Sequence, residues 1–238
     1  MLLRRHLPTT GRVFTLAAAM IAAVGIADCA TYAKVGGGTL SGNLAPAATH
    51  ARTSITEVLS LSGGTYMDRI LADRDSVMER WPDHVADPLR VWVDSTTMLN
   101  GVQAGFPAAV REAFTQWAAT GIPLRFAYVD NPRDADVRVR WTDHLDRKTG
   151  STTWRTDRGG WLTSSDITLA THISDGHSLD ERGMRAIALH EVGHALGLSH
   201  SIDGHDIMAP LVRVDGLSPV DRNTIKLLYS FSAGPVGR

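Results

Sequence analysis

Apolar and polar residues alternate along Leu89-Arg90-Val91-Trp92-Val93, the period of a half-buried strand. The same signature returns at Leu124-Arg125-Phe126-Ala127-Tyr128 and at Val137-Arg138-Val139-Arg140-Trp141. Between the first two, Pro107 opens a stretch in which Val110, Ala113, Phe114 and Trp117 share one face, predicting a helix through about Ala119. A polar loop is expected from Thr142 to Gly160, with one short strand around Thr153 to Thr156, and a further strand over Asp166 to Ala170. Met184, Ala186, Ile187, Leu189, Val192, Ala195 and Leu196 give a helix from about Leu179 to Leu196 an apolar body to bury. The last helix runs from Pro219 to Tyr229, with Ser218 as its cap and Asp221 able to complete a capping box. This order predicts an α+β domain: a mixed, twisted sheet of about five strands with a crossover helix, a helix before the final loop, and a C-terminal helix.

Upstream, Met67, Ile70, Leu71, Val77, Met78 and Trp81 predict a helix over Tyr66 to Trp81, stopped by Pro82. It could pack on the domain, act as a propeptide, or do neither. Thr31 to about Gly64 is rich in Gly, Ala, Ser and Thr and reads as a linker. Arg4, Arg5 and Arg12 precede an apolar run from Val13 to Ala27, too short for a membrane span and the length of an export signal. Gly25 and Ala27 satisfy the small-residue rule for cleavage before Asp28. Two alternatives remain open, lipidation at Cys29 and an uncleaved signal anchor. The expected division is a signal over 1–27, a linker over 28–64, a helical arm or propeptide over 65–88, the folded domain over 89–232 and a tail over 233–238. A secreted, periplasmic or envelope location follows, with no membrane contact by the mature domain unless Cys29 is lipidated or the signal is retained.

Composition changes little in this picture. Of 238 residues, 43% are hydrophobic, enough for one medium domain. The net charge of −1 gives no reason to expect nucleic acid as a partner. Cys29 is the single cysteine, so the domain has neither an internal disulfide nor a cysteine-based metal site. No feature motivates an oligomer, and a monomer is expected.

The chemistry is concentrated in one run, His190-Glu191-Val192-Gly193-His194-Ala195-Leu196-Gly197-Leu198-Ser199-His200. On a helix, His190 and His194 stand one turn apart and project from the same face, a spacing at which two imidazoles grip one zinc ion. Gly197 can take the positive φ that ends a helix, turning the chain so that His200 becomes a third ligand. Three protein ligands leave a position open for water, the mark of a catalytic zinc site. Glu191, beside the first ligand, is placed to take that water's proton. Chance yields H-E-x-x-H in roughly 1 in 100 chains of this composition and the full run in roughly a few in 100,000. The run is therefore read as chemistry.

This run, followed by Asp206-Ile207-Met208-Ala209-Pro210, resembles the metzincin clan of zinc endopeptidases. The resemblance implies that Met208 lies in a tight turn beneath the metal. Ser201, Pro210, Leu217-Ser218-Pro219 with Asp221, and Leu228-Tyr229 are similar to matrixins within that clan, over roughly Leu89 to Tyr229. No tyrosine stands two residues after Met208, where astacins and serralysins carry an extra ligand. Cys29 lacks the surroundings of the cysteine with which animal matrixins silence themselves. The second, structural zinc of those enzymes, held by an H-x-D and two later histidines, is not assigned here. Asp143, His144, His172 and His177 are candidates by type only, expected as exposed loop residues. Asp157, Asp175 and Asp203 are candidates for calcium (Ca2+), and turn chemistry accounts for them equally well.

The resemblance implies one catalytic zinc (Zn2+) held by His190, His194 and His200, with Glu191 as general base acting on a polypeptide substrate. Gly197 and Met208 support the site. An edge strand near Thr153 to Leu169 would align the substrate by main-chain pairing, and the loop from Ile202 to Gly216 would wall the pocket. Two rival functions are a secreted binding module that keeps the site without using it, and a zinc amidase acting on a non-protein amide.

Overall fold

The computed structural model describes residues 54–97, 99, 101–173 and 175–237, together with the backbone of Val24–Asp28 and Ala33–Lys34. The rest of the expected export signal, and Cys29 after it, lie outside the described residues. No helix among the described residues is long and apolar enough to cross a membrane.

In chain order the elements are β1 (Val24–Asp28), β2 (Ala33–Lys34), α1 (Ile55–Ser60), α2 (Met67–Asp73), β3 (Val77–Met78), β4 (His84–Val93), α3 (Phe106–Ala118) and β5 (Leu124–Tyr128). There follow β6 (Val137–Thr142), β7 (Gly150–Thr156), β8 (Leu162–Ala170), α4 (Glu181–Ala195), α5 (Pro219–Ser230) and β9 (Gly234–Pro235). The expected five-stranded mixed sheet is present, in the order β7-β8-β6-β4-β5. β8, β6, β4 and β5 are parallel neighbours, and β7 pairs antiparallel with β8. β7 is thus the antiparallel border of this core. β1 continues the sheet beyond it, antiparallel, with Gly25 opposite Trp154 and Asp28 opposite Ser151.

The alternating strands bury one face as their pattern requires. Leu89, Val91, Val137, Val139, Ile167 and Leu169 are all at or near zero exposure. α3 and α4 pack against each other and against the sheet. Between the two helices, the Trp117 indole donates to the Leu189 carbonyl at 2.9 Å. α5 carries the capping box read from Ser218 and Asp221.

Several boundaries differ from expectation. β7 begins at Gly150 and β8 at Leu162, so the polar stretch before Gly160 holds a full strand. Gly150-Ser151-Thr152-Thr153 lacks the apolar residues that announce strands, yet Gly150, Thr152 and Trp154 are its buried positions. The helix expected over Tyr66 to Trp81 ends at Asp73. Asp75 and Ser76 take positive φ values of 50° and 62°, which breaks the helix and turns the chain into β3. Finally, α1 forms inside the stretch read as a linker.

These upstream residues are built into the domain. Met67 and Ile70 have no exposed surface and Leu71 has 3%. β3 pairs with β9, and the Ile55 amide donates to the Gly237 carbonyl at 2.8 Å. Ile70→Ala is therefore expected to cost about 2–5 kcal/mol of stability, read as a shift in denaturant midpoint. A midpoint equal to that of the parent would mean that α2 does not dock.

Candidate metal centre

The apolar face of α4 buries Met184, Ala188, Leu189, Val192 and Ala195. Asp180 caps its start, accepting from the Gly183 amide at 2.7 Å. At its far end Gly197 adopts φ 105°. The Gly197 amide donates to the His194 carbonyl and the Leu198 amide to the Gly193 carbonyl, both at 3.0 Å. This pair of bonds is a Schellman turn, and it reverses the chain so that His200 faces the helix it has just left.

The three imidazoles then converge. His194 Nε2 lies 3.0 Å from His190 Nε2 and 3.2 Å from His200 Nε2. His190 Nδ1 is 2.7 Å from the Ile207 carbonyl, and His194 Nδ1 is 2.9 Å from the Leu198 carbonyl. A carbonyl only accepts, so each Nδ1 carries the hydrogen and each Nε2 presents its lone pair to the centre. Burial pulls His190 down to about 4, against its bond to Ile207. Burial, followed by the neighbouring imidazoles, holds His194 well below its ordinary value. His200 is also lowered, mainly by burial, with Asp73 opposing and Arg69 adding to the effect. Neutral rings with lone pairs converging at this distance repel one another unless a cation joins them. The donor set therefore fits zinc, with the carbonyls orienting the rings from behind.

Glu191 contacts β7. The Thr152 hydroxyl donates to Glu191 Oε2 at 2.6 Å, and both side chains are buried. Gly150 is required opposite it, because a Cβ there would stand 2.3 Å from Glu191 Oε1. Neither Thr152 nor Gly150 was flagged by the sequence. Their sole local signal is small size in a polar run.

Met208 lies in a turn, fully buried, with its sulfur against Gly193 of α4. Its carbonyl accepts from the Ser201 amide at 2.8 Å, tying the turn to the residue after His200. The Ile207 amide donates to Asp221 Oδ2 at 2.9 Å, and the Tyr66 hydroxyl reaches Asp221 Oδ1 at 3.3 Å. The capping carboxylate of α5 thus anchors the peptide that orients His190.

A second group could also hold a metal ion: Asp143, His144 and His172. Asp143 bridges the two imidazoles, at 2.9 Å to His144 Nδ1 and 2.7 Å to His172 Nδ1, and the rings stack at 5.0 Å. These residues, expected as exposed loop residues, are brought together, with Asp143 and His144 exposed and His172 partly buried. The missed signal is His144-Leu145-Asp146, itself an H-x-D, although Asp146 points outward and Asp143 takes its place in the cluster. His177 stays apart, paired with Asp175. The three calcium candidates are occupied in turns, with Asp157, Asp175 and Asp203 each accepting from a nearby backbone amide.

The Matrixin family model matches residues 90–230. Over 151 residues the chain is 28% identical to matrix metalloproteinase-18 of Xenopus laevis, covering 56% of this chain and 31% of that protein. It is 30% identical over 118 residues to matrix metalloproteinase-C of Caenorhabditis elegans, covering 43% and 19% respectively. The chain therefore spans less than a third of the length of either relative.

Binding to a folded protein stabilises it, by about 4 kcal/mol at a free ligand concentration about 1,000 times Kd. Zinc added to metal-free protein is expected to raise the melting temperature accordingly, and His194→Ala to lose most of that rise. An equal rise in the variant would place the metal elsewhere.

Proposed function

The chain belongs to the matrixin family, and from that premise we propose that it is a zinc-dependent endopeptidase hydrolysing peptide bonds within polypeptides. The observation that carries the reading is the convergence of three imidazole nitrogens, two of them from the helix that also carries Glu191. His190, His194 and His200 would hold the zinc. When bound, that ion supplies Lewis acidity toward water and the substrate carbonyl at neutral pH. Gly197 supports the site through the turn that returns His200, and Met208 through its packing beneath α4.

Glu191 acts as general base and then as general acid. Its carboxylate takes a proton from the attacking water and returns it to the leaving amine. One carboxylate oxygen is held by the Thr152 hydroxyl, so the group is oriented before substrate arrives. Fixing a base in this way reduces the reorganisation needed at the moment of reaction.

An extended substrate fits the outer border of β7. In this structure Val24–Asp28 holds that border, pairing antiparallel along Ser151 to Arg155, and the substrate would take the place of that strand. Gly150 and Thr152, the residues against Glu191, lie on the same strand. Main-chain pairing there would carry the scissile bond past the carboxylate, with side-chain choice left to surrounding loops. The loop from Ile202 to Gly216, with Ile202 and Leu211 exposed, is the nearest candidate wall. The basic and then apolar composition of residues 4–27 supports export to the cell envelope or medium.

Glu191→Ala is expected to keep its zinc and lose about 10²–10⁴-fold in turnover of an unfolded protein substrate. Thr152→Val, which removes only the donor, is expected to lower kcat about tenfold with KM little changed, since a hydrogen bond to a charged group contributes about 1.5–3 kcal/mol. Undiminished cleavage by Glu191→Ala would sink the assignment of the base. Bound zinc without cleavage by the parent protein would favour a binding module.

A further inference from the structure

Where α4 ends, three carbonyls lie beyond the helical ladder, and each finds a side-chain donor. The Trp81 indole donates to Ala195 at 2.8 Å, the Tyr229 hydroxyl to Leu196 at 3.0 Å, and Arg74 Nη2 to Leu198 at 3.5 Å. Two of these donors come from the arm upstream of the family match, which begins at residue 90. The Gly197 turn also rests on this arm, because a Cβ at Gly197 would stand 2.3 Å from the Glu79 carbonyl.

Arg74 is the unusual member. Its side chain is fully buried, and the carboxylate facing it, Glu79, lies 3.5 Å from Nη1. Glu79 Oε2 also accepts from the Trp154 indole at 2.9 Å, and the guanidinium lies 5.1 Å from that ring. Nη1 makes a long bond to the Glu79 carbonyl at 3.3 Å, and Nε has no partner among the described residues. A buried guanidinium so sparsely bonded is a poor source of stability, and an apolar side chain of similar length would fill the space at lower cost. Its specific reach is to the Leu198 carbonyl, the same oxygen that accepts from His194 Nδ1 at 2.9 Å. A carbonyl has two lone pairs, so it can serve both.

We propose that Arg74 is a positioning residue for the metal centre, fixing the Leu198 carbonyl that orients His194, and that residues 66–81 are a permanent part of the metal-holding unit rather than a segment removed on activation. The inference rests on His190, His194 and His200 being the metal site. It does not depend on which bond the protein hydrolyses.

The test uses the full chain loaded with Co2+ in place of Zn2+, whose visible absorption reports ligand geometry. Three variants are compared with the parent by absorption, by chelator competition and by peptide turnover. Arg74→Met with Glu79→Gln removes both buried charges and strands neither. Glu79→Gln alone keeps the bond from Arg74 to Leu198, and Arg74→Lys keeps the charge and a donor. The double variant is expected to bind Co2+ about 10–100-fold more weakly, with an altered visible band and a fall in kcat at similar KM. Glu79→Gln should keep the parent's Co2+ affinity and spectrum even where the unpaired Arg74 charge lowers stability, and Arg74→Lys should recover part of the loss. Parent-like affinity and spectrum in the folded double variant would overturn the proposal. So would failure of that variant to fold with saturating metal, since Arg74 would then serve the fold at large. A parent chain that binds no metal at the three histidines would instead refute the site. One that binds metal but cleaves nothing would refute only the peptidase reading.

Discussion

The structure turns on keeping three neutral imidazoles, two of them fully buried, with their lone pairs facing one another. Unpaired, such lone pairs repel, and charging the rings is opposed by burial at all three. The rings must therefore be held by groups behind them. The Ile207 and Leu198 carbonyls do this for His190 and His194. Each carbonyl belongs to an irregular segment that cannot hold itself in place. The rest of the domain can be understood as the support of those two peptides.

The support comes from opposite ends of the chain. The peptide at Ile207 hangs from Asp221, whose carboxylate is shared with the α5 cap and with Tyr66. The peptide at Leu198 is reached by Arg74, and the helix end before it by Trp81 and Tyr229. On the sheet side, β7 brings Thr152 to Glu191 and leaves room for it at Gly150. The sheet therefore orients the carboxylate, while the arm and α5 orient the imidazoles. These two tasks meet on one helix, α4.

Legibility in the sequence followed the range of the interaction. His190, Glu191, His194, Gly197 and His200 could be read because their geometry is set by one helix and one turn, which spacing encodes directly. The strands β4, β5 and β6 were legible because one buried face forces alternation. β7 was half hidden, because its buried positions are Gly150, Thr152 and Trp154 and the first two carry no apolar signal. The break after α2 was also hidden, since Asp75 and Ser76 take left-handed conformations that composition does not announce. Arg74, Tyr66 and Thr152 act across long stretches of chain, and no local period links them to the residues they serve. The pairing of Asp143 with His144 and His172 depends likewise on β6 and β8 ending side by side.

The most direct test of the central claim is digestion of an unfolded protein by the purified chain, with and without a zinc chelator, and identification of every cut by mass spectrometry. The account predicts internal cuts that vanish with chelator and return when zinc is restored. Cuts that persist without metal, or zinc-loaded protein that leaves the substrate intact, would contradict it.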